Sequence, residues 1–374
     1  MKGCLSLCLA SAVLLGVISL GAQEPSSAGK KPADASGLSP AQLAARAKAY
    51  QAPEIPFDSI PVALKMPSGM YFGEDMGVAT NSKGHVFVFN RNGENSRLFE
   101  FDALGNYIHE IGKNSYAFAM AHAVRVDAHD NFWTVDEGTN TVVKWNGVTQ
   151  RPEMIMGRRH DYFEGLIPTT LPVPPLDHYM FNRPTDIAWD KDDNIFISDG
   201  YNNSRTVKYD KTGRYVTEIG VRGTEPTQMN TPHSIQVDRE GLVYVADRNN
   251  NRIQVFTNDL KLKAMYTDVG QPWAVCISGG AHQYLYSSNS YPDASPADLR
   301  AVTGEIYKME LDGKVIGRFG TAGKGSHEFS TTHAMDCRYD NTLLVAELSG
   351  WNVKKVHLKP IATGATGQAA GGNR

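Results

Sequence analysis

Three histidines, His122, His233 and His333, stand at one position of a recurring sequence phrase, in every second copy of it. Imidazole is a neutral metal ligand near pH 7. Three imidazoles converging on a point leave a fourth position open, which is the arrangement of a catalytic rather than a structural zinc. The competing use of such a set is a channel in which each ring bonds to water. The sequence holds 11 histidines, and the other eight share no repeat position and carry no assignment. Two arginines, Arg91 and Arg248, also share a repeat position, each directly after the second polar residue of its copy. A guanidinium there needs an anion, either a carboxylate ligand bound bidentately or a blade aspartate such as Asp247 or Asp199. Tyr201 follows Gly200 in a tight turn. A phenol close to two arginines and a zinc ion would ionise more easily than usual and could serve as a base.

The elements that must position these side chains are short strands. In HAVRVDAHDNFWTVD, PTDIAWDKDDNIFISD and HSIQVDREGLVYVAD two aspartates stand nine residues apart, as Asp127 and Asp136, Asp190 and Asp199, and Asp238 and Asp247. A copy from Met76 keeps the step with Asn81 and Asn90, and looser copies start at Trp273 and His333. Each full copy carries four apolar runs separated by turn clusters, and a sheet apolar on both faces needs neighbours on both sides. Six copies of about 50 residues predict an all-β fold, a six-bladed β-propeller. Five positions before the first aspartate the copies read Met76, His122, Thr185, His233, Trp273 and His333. Alternate blades of six place the three histidines about 120° apart around the central channel.

The rest of the chain bounds the setting. The first 22 residues combine one lysine, an apolar run and small residues, and predict a secretory signal cleaved after Gly21 or Ala22, which removes Cys4 and Cys8. The mature protein is then secreted or periplasmic, without stable membrane insertion. Residues 23–55 read as a disordered spacer followed by a short helix opened by Ser39 and Pro40. Residues 56–360 form the propeller and 361–374 a flexible tail. With 37 basic and 40 acidic residues and no basic stripe, nucleic acid is excluded as a partner. Cys276 and Cys337 fall at neighbouring offsets of adjacent copies, which gives opposite side-chain directions; this favours two buried free thiols, with a disulfide as the alternative. Insertions at Gly147–Met180 and Ser290–Gly304 are candidate binding loops.

The phrases PTDIAWD, IFISDGYNNSR, VYVADRNNNRIQ, AFAMAHAV and THAMD resemble the lyase domain of peptidylglycine α-amidating enzymes, the peptidyl-α-hydroxyglycine α-amidating lyase family, over about Val62 to Val356. That family is a six-bladed propeller of NHL type. The resemblance implies zinc held by His122, His233 and His333, Tyr201 as catalytic base, and Arg91 and Arg248 as the pair that binds substrate and stabilises charge. Two departures stand out. Family cysteines are replaced at Asn182 and Asn202, and again at Tyr244 and Val255. Ala334 replaces an aspartate that, with carbonyls matching Val78 and Val124, holds calcium in the family, which makes Ca2+ doubtful here. The implied reaction is zinc-dependent cleavage of the C–N bond of an N-acyl or peptidyl α-hydroxyglycine to an amide and glyoxylate. The substrate is thus a small molecule or a peptide ending in an α-hydroxyglycine-like group. The alternatives are a non-catalytic NHL propeller that binds a protein or envelope ligand, and a lactonase-like hydrolase built on axial calcium.

Overall fold

The two aspartates of each repeat do separate structural work, which is why their nine-residue step is so regular. The first makes a turn. Asp127 Oδ1 accepts the backbone N–H groups of His129 and Asn131 at 2.9 Å each, and Asp190 and Asn81 bond their own turns in the same way. The second ties down the segment entering the sheet. Asp136 accepts the N–H of Ala119 and Met120, Asp199 that of Asn182, and Asp247 that of Asn230. One side chain closes the hairpin at one end of the strand pair, and the other anchors the incoming chain at the opposite end.

The computed structural model describes residues 39–92, 95–159 and 177–361. The leader, the spacer to residue 38, the tail from 362 and residues 160–176 of the first insertion, including His160, lie outside the described residues. Six four-stranded antiparallel sheets are arranged as a propeller. Blade one comprises Glu74–Thr80, Val86–Arg91, Ser96–Phe101 and Tyr107–Ile111, and the innermost strands of blades two to five begin at Ala121, Asp186, Pro232 and Pro272. Blade six takes three strands, Thr332–Tyr339, Thr342–Glu347 and Asn352–Leu358, from the end of the chain, and its outermost strand, Phe57–Ile60, from the beginning. Phe57 pairs with Leu358 and Ile60 with Lys355. This closure joins the two ends of the propeller and leaves its ring without an open edge.

Between blades the apolar faces interlock. Phe87 of blade one and Phe132 of blade two stack with centroids 5.0 Å apart, and each neighbouring pair of blades shares a buried cluster of this kind. On the axis the packing is polar. The buried guanidinium of Arg125 donates to both carboxylate oxygens of Asp186 at 2.9 and 2.6 Å, to the Met335 carbonyl at 3.1 Å and to Ser234 Oγ at 3.3 Å. One side chain of blade two therefore reaches blades three, four and six. A buried charge this well paired costs little to keep and much to break.

The helix Pro40–Ala49 buries Ala49 against blades four and five and pairs Arg46 with Glu305 at 2.8 Å. The insertion at Ser290–Gly304 folds beneath it, with Tyr291 and Val302 buried beside Leu43, so this segment is a seat for the helix. The expectation of free thiols is overturned: Cys276 and Cys337 form a disulfide between blades five and six. The alternation argument failed because neighbouring blades turn opposite faces to each other: Ala274 and Cys276 of blade five share one cluster with Met335 and Cys337 of blade six, so opposite side-chain directions bring the two cysteines together. The bridge closes a loop of sequence separation 61. Replacing both cysteines with serine should lower unfolding free energy by roughly 2–4 kcal/mol, read from urea midpoints. An unchanged midpoint would show that blades five and six hold together without it.

Candidate functional site

A regular strand would send the residues around each histidine alternately to the two faces of the blade, and none to the axis. A bulge changes that. Residues 121 and 123 pair with 136 and 135, 232 and 234 with 247 and 246, and 332 and 334 with 347 and 346, which leaves His122, His233 and His333 as the extra residue each time. Met76 occupies the same extra position in blade one. The bulge re-aims one side chain per blade toward the channel.

The orientation of each ring is then set by the next blade. His122 Nδ1 lies 2.6 Å from the Thr185 carbonyl, His233 Nδ1 2.7 Å from that of Trp273, and His333 Nδ1 2.7 Å from that of Met76. A carbonyl only accepts, so every Nδ1 carries the proton and every Nε2 its lone pair. The acceptors belong to the same repeat position in the three blades that lack histidine. The three rings stand 4.7 Å apart, centroid to centroid, in all three pairs, and their ligand nitrogens lie within 4.8 Å of one another. His233 Nε2 and His333 Nε2 are buried without a hydrogen-bond partner. Orphaned lone pairs are costly inside a protein, and a cation held at their focus would satisfy them. All three imidazoles are held neutral. Burial is the main cause throughout, aided at His122 by His333 and Arg91 and at His233 by Arg248, while His333 is pushed down to about 3. Three neutral nitrogens and an open side suit zinc.

Above the rings lies Tyr201, whose hydroxyl is 3.4 Å from His122 Nε2. Its turn is tight because Gly200 packs on the Pro232 carbonyl, where a Cβ would come within 2.1 Å of the oxygen. Across the turn Asn202 Nδ2 donates to Asn182 Oδ1 at 2.7 Å, a hydrogen bond where the resembling family has a cystine. Tyr244 and Val255, the other replaced pair, face each other as buried cross-strand neighbours. Two guanidinium groups flank the phenol, Arg183 at 4.4 Å and Arg248 at 5.3 Å from the ring centre. Without a metal ion beside it, burial raises the phenol above its usual value. Arg248 and Arg91 pull it back, and Glu137 pushes it further up. The charge argument alone had omitted desolvation.

The two predicted arginines differ in their partners. Arg91 is an ion pair: it donates through Nε to the Ala121 carbonyl at 2.7 Å and through Nη2 to Glu137, which also accepts from Arg183 at 2.8 Å. Among the described residues Arg248 has no carboxylate partner. Its guanidinium lies 4.4 Å from the Trp273 ring and 3.5 Å from the Tyr201 hydroxyl. Sequence reasoning named neither Arg183 nor Glu137 as a site residue. Glu137 stands at the repeat position of Arg91 and could have been paired with it, whereas nothing in the sequence signals Arg183. Ala334 lies with Val78 in an apolar cluster and offers no side-chain oxygen for calcium.

Residues 229–256 match the NHL repeat family. The chain is 25% identical over 308 residues to a Caenorhabditis elegans protein named a probable peptidyl-alpha-hydroxyglycine alpha-amidating lyase, covering 76% of this chain and 83% of that one. It is 29% identical over 231 residues to the peptidyl-glycine alpha-amidating monooxygenase of Mus musculus, covering 53% of this chain and 22% of that longer protein. A virginiamycin B lyase of Staphylococcus aureus has the same fold, with a TM-score of 0.53 at 13% identity over 82% of this chain and all of that one.

Because the folded imidazole values lie below the ordinary one near 6.5, the unfolded chain takes up protons first on acidification. The stability these rings contribute is complete above about pH 6.5 and is lost as pH falls from there toward 3. In chelator-treated protein, urea midpoints should drop between pH 7.5 and 5.0, and His333→Asn should flatten the drop. Equal slopes for the variant and the parent would mean that His333 is not held neutral.

Proposed function

We propose that this chain, whose resemblance to the peptidyl-α-hydroxyglycine α-amidating lyases is borne out by those relatives, is a zinc-dependent carbon–nitrogen lyase acting on N-acyl or peptidyl α-hydroxyglycine. The observation that carries this reading is the conjunction of the three-histidine cradle, a phenol 3.4 Å from one of its nitrogens, and beside that phenol an arginine that has no carboxylate partner among the described residues. Zinc held by His122, His233 and His333 would supply a Lewis acid for the substrate hydroxyl and a positive charge beside the Tyr201 oxygen.

The chain's own groups account for the remaining steps. Arg248, stacked on Trp273, receives the substrate carboxylate bidentately. Tyr201, as phenolate, takes the proton of the substrate hydroxyl. The oxygen's electrons form the carbonyl of glyoxylate as the C–N bond breaks, and its electron pair goes to nitrogen, which takes up a proton and leaves as the amide. Arg183, over the other side of the phenol ring, stabilises the phenolate, and Arg91 adds positive potential while Glu137 fixes it. The signal-like first 22 residues and the Cys276–Cys337 bridge support an exported site of action.

Purified protein should release glyoxylate and amide from N-acetyl α-hydroxyglycine, lose that activity with a chelator and regain it with zinc. A zinc-loaded protein that never turns such a compound over would sink the reading. Replacing any of His122, His233 or His333 with Ala should deplete bound zinc, while His129→Ala, an exposed partner of Asp193, should not. Tyr201→Phe should retain zinc and lower kcat by on the order of 10² to 10⁴. Arg248→Ala should also retain zinc and weaken kcat/KM by roughly 2–4 kcal/mol.

A further inference from the structure

The mouth of the channel carries a second feature beside the polar centre. A cavity of about 320 Å³ is lined by Tyr71, Phe72, Glu74, Arg91 and Trp351 among others. Its floor is rigid, because the Phe72 ring packs against Phe99 and Phe101 at 6.1 and 5.9 Å. Its walls are not covered: Tyr71 is 65% exposed and Trp351 62%. The Tyr71–Glu74 run lies hard against the second strand of blade one, since a Cβ at Gly73 would come within 2.0 Å of the Arg91 carbonyl. Arg91 in turn bonds the carbonyl of Ala121, the residue before His122. Arg91 therefore lines the groove and also bonds the backbone beside the histidine cluster. Exposed aromatic walls over a fixed aromatic floor, next to a charged centre, are the make-up of a binding groove.

We propose that this groove is the acyl subsite and selects substrates whose nitrogen bears an aromatic acyl group, a proposal that rests on the lyase reading above. The direction of the substrate argues for it. In an N-acyl α-hydroxyglycine the carboxylate and the acylamido group sit on the same carbinol carbon and diverge from it. Arg248 belongs to blade four, and blade one lies diametrically across a six-bladed ring from it. With the carboxylate at Arg248 and the hydroxyl toward the imidazoles, the acyl group runs across the axis to blades one and six. There it meets Tyr71 from the entry to blade one and Trp351 from the hairpin between the second and third strands of blade six. An aromatic acyl group would lie on Phe72 between those two rings and lose its exposed surface, whereas an acetyl group is too short to fill the groove.

The test compares kcat/KM for N-benzoyl and N-acetyl α-hydroxyglycine in the zinc-loaded parent and in a Tyr71→Ala, Trp351→Asn double variant. Asparagine is chosen because residue 351 has φ of 54°, which asparagine tolerates. The parent should prefer the benzoyl compound by roughly 10-fold or more, the usual worth of filling an apolar pocket. The double variant should lose most of that ratio. A parent ratio near one, or a ratio unchanged in the variant, overturns the subsite while leaving the lyase reading intact. Failure of the parent to turn over either compound takes down both.

Discussion

The hydrogen bond from each axial histidine to the backbone carbonyl of the next blade is the contact on which the site depends. It consumes the Nδ1 proton, so the outward nitrogen is obliged to present a lone pair. It also couples the geometry of the three rings to the spacing of blades, because donor and acceptor belong to different sheets. The acceptors are backbone carbonyls, which any residue supplies, so alternation governs which side chains reach the axis rather than whether acceptors exist. One repeat position thus provides three imidazoles and three acceptors, with Met76, Thr185 and Trp273 serving through their backbones.

That arrangement holds only if the ring of blades is closed and the channel below is filled. Closure comes from the Phe57–Ile60 strand pairing with the last strand of the chain. The channel below is crossed by the Arg125–Asp186 pair, which reaches Ser234 and the Met335 carbonyl. A fixed positive charge at that depth also disfavours protonation of His333. Above the rings the charges are graded. Glu137 engages Arg91 and Arg183, and among the described residues Arg248 has no carboxylate partner.

Much of this was legible in the sequence, for reasons that the structure supplies. The nine-residue step was visible because both aspartates bond backbone that cannot be satisfied otherwise. The axial histidines were visible because a repeat register reports angular position directly. The features that escaped depend on chain segments brought together from different blades. FDSI at 57–60 resembles any short strand until its partner at the far end of the chain is known. Glu137 meets Arg91 from another blade and Arg183 from a loop. The Cys276–Cys337 bridge was misread because the parity count ignored that adjacent blades turn opposite faces to each other, which brings Cys276 and Cys337 into one cluster. Tyr201 was read from its charged neighbours alone, although burial is the larger influence on its ionisation.

X-ray absorption at the zinc edge of the loaded protein examines the central claim most directly, since it reads the ligand set without relying on catalysis. The account predicts one zinc environment with three imidazole nitrogens and a light fourth ligand from solvent, at the short distances of four-coordinate zinc, about 2.0–2.1 Å for nitrogen. A first shell containing sulfur, or an oxygen-only shell without the outer scattering of imidazole rings, would contradict it.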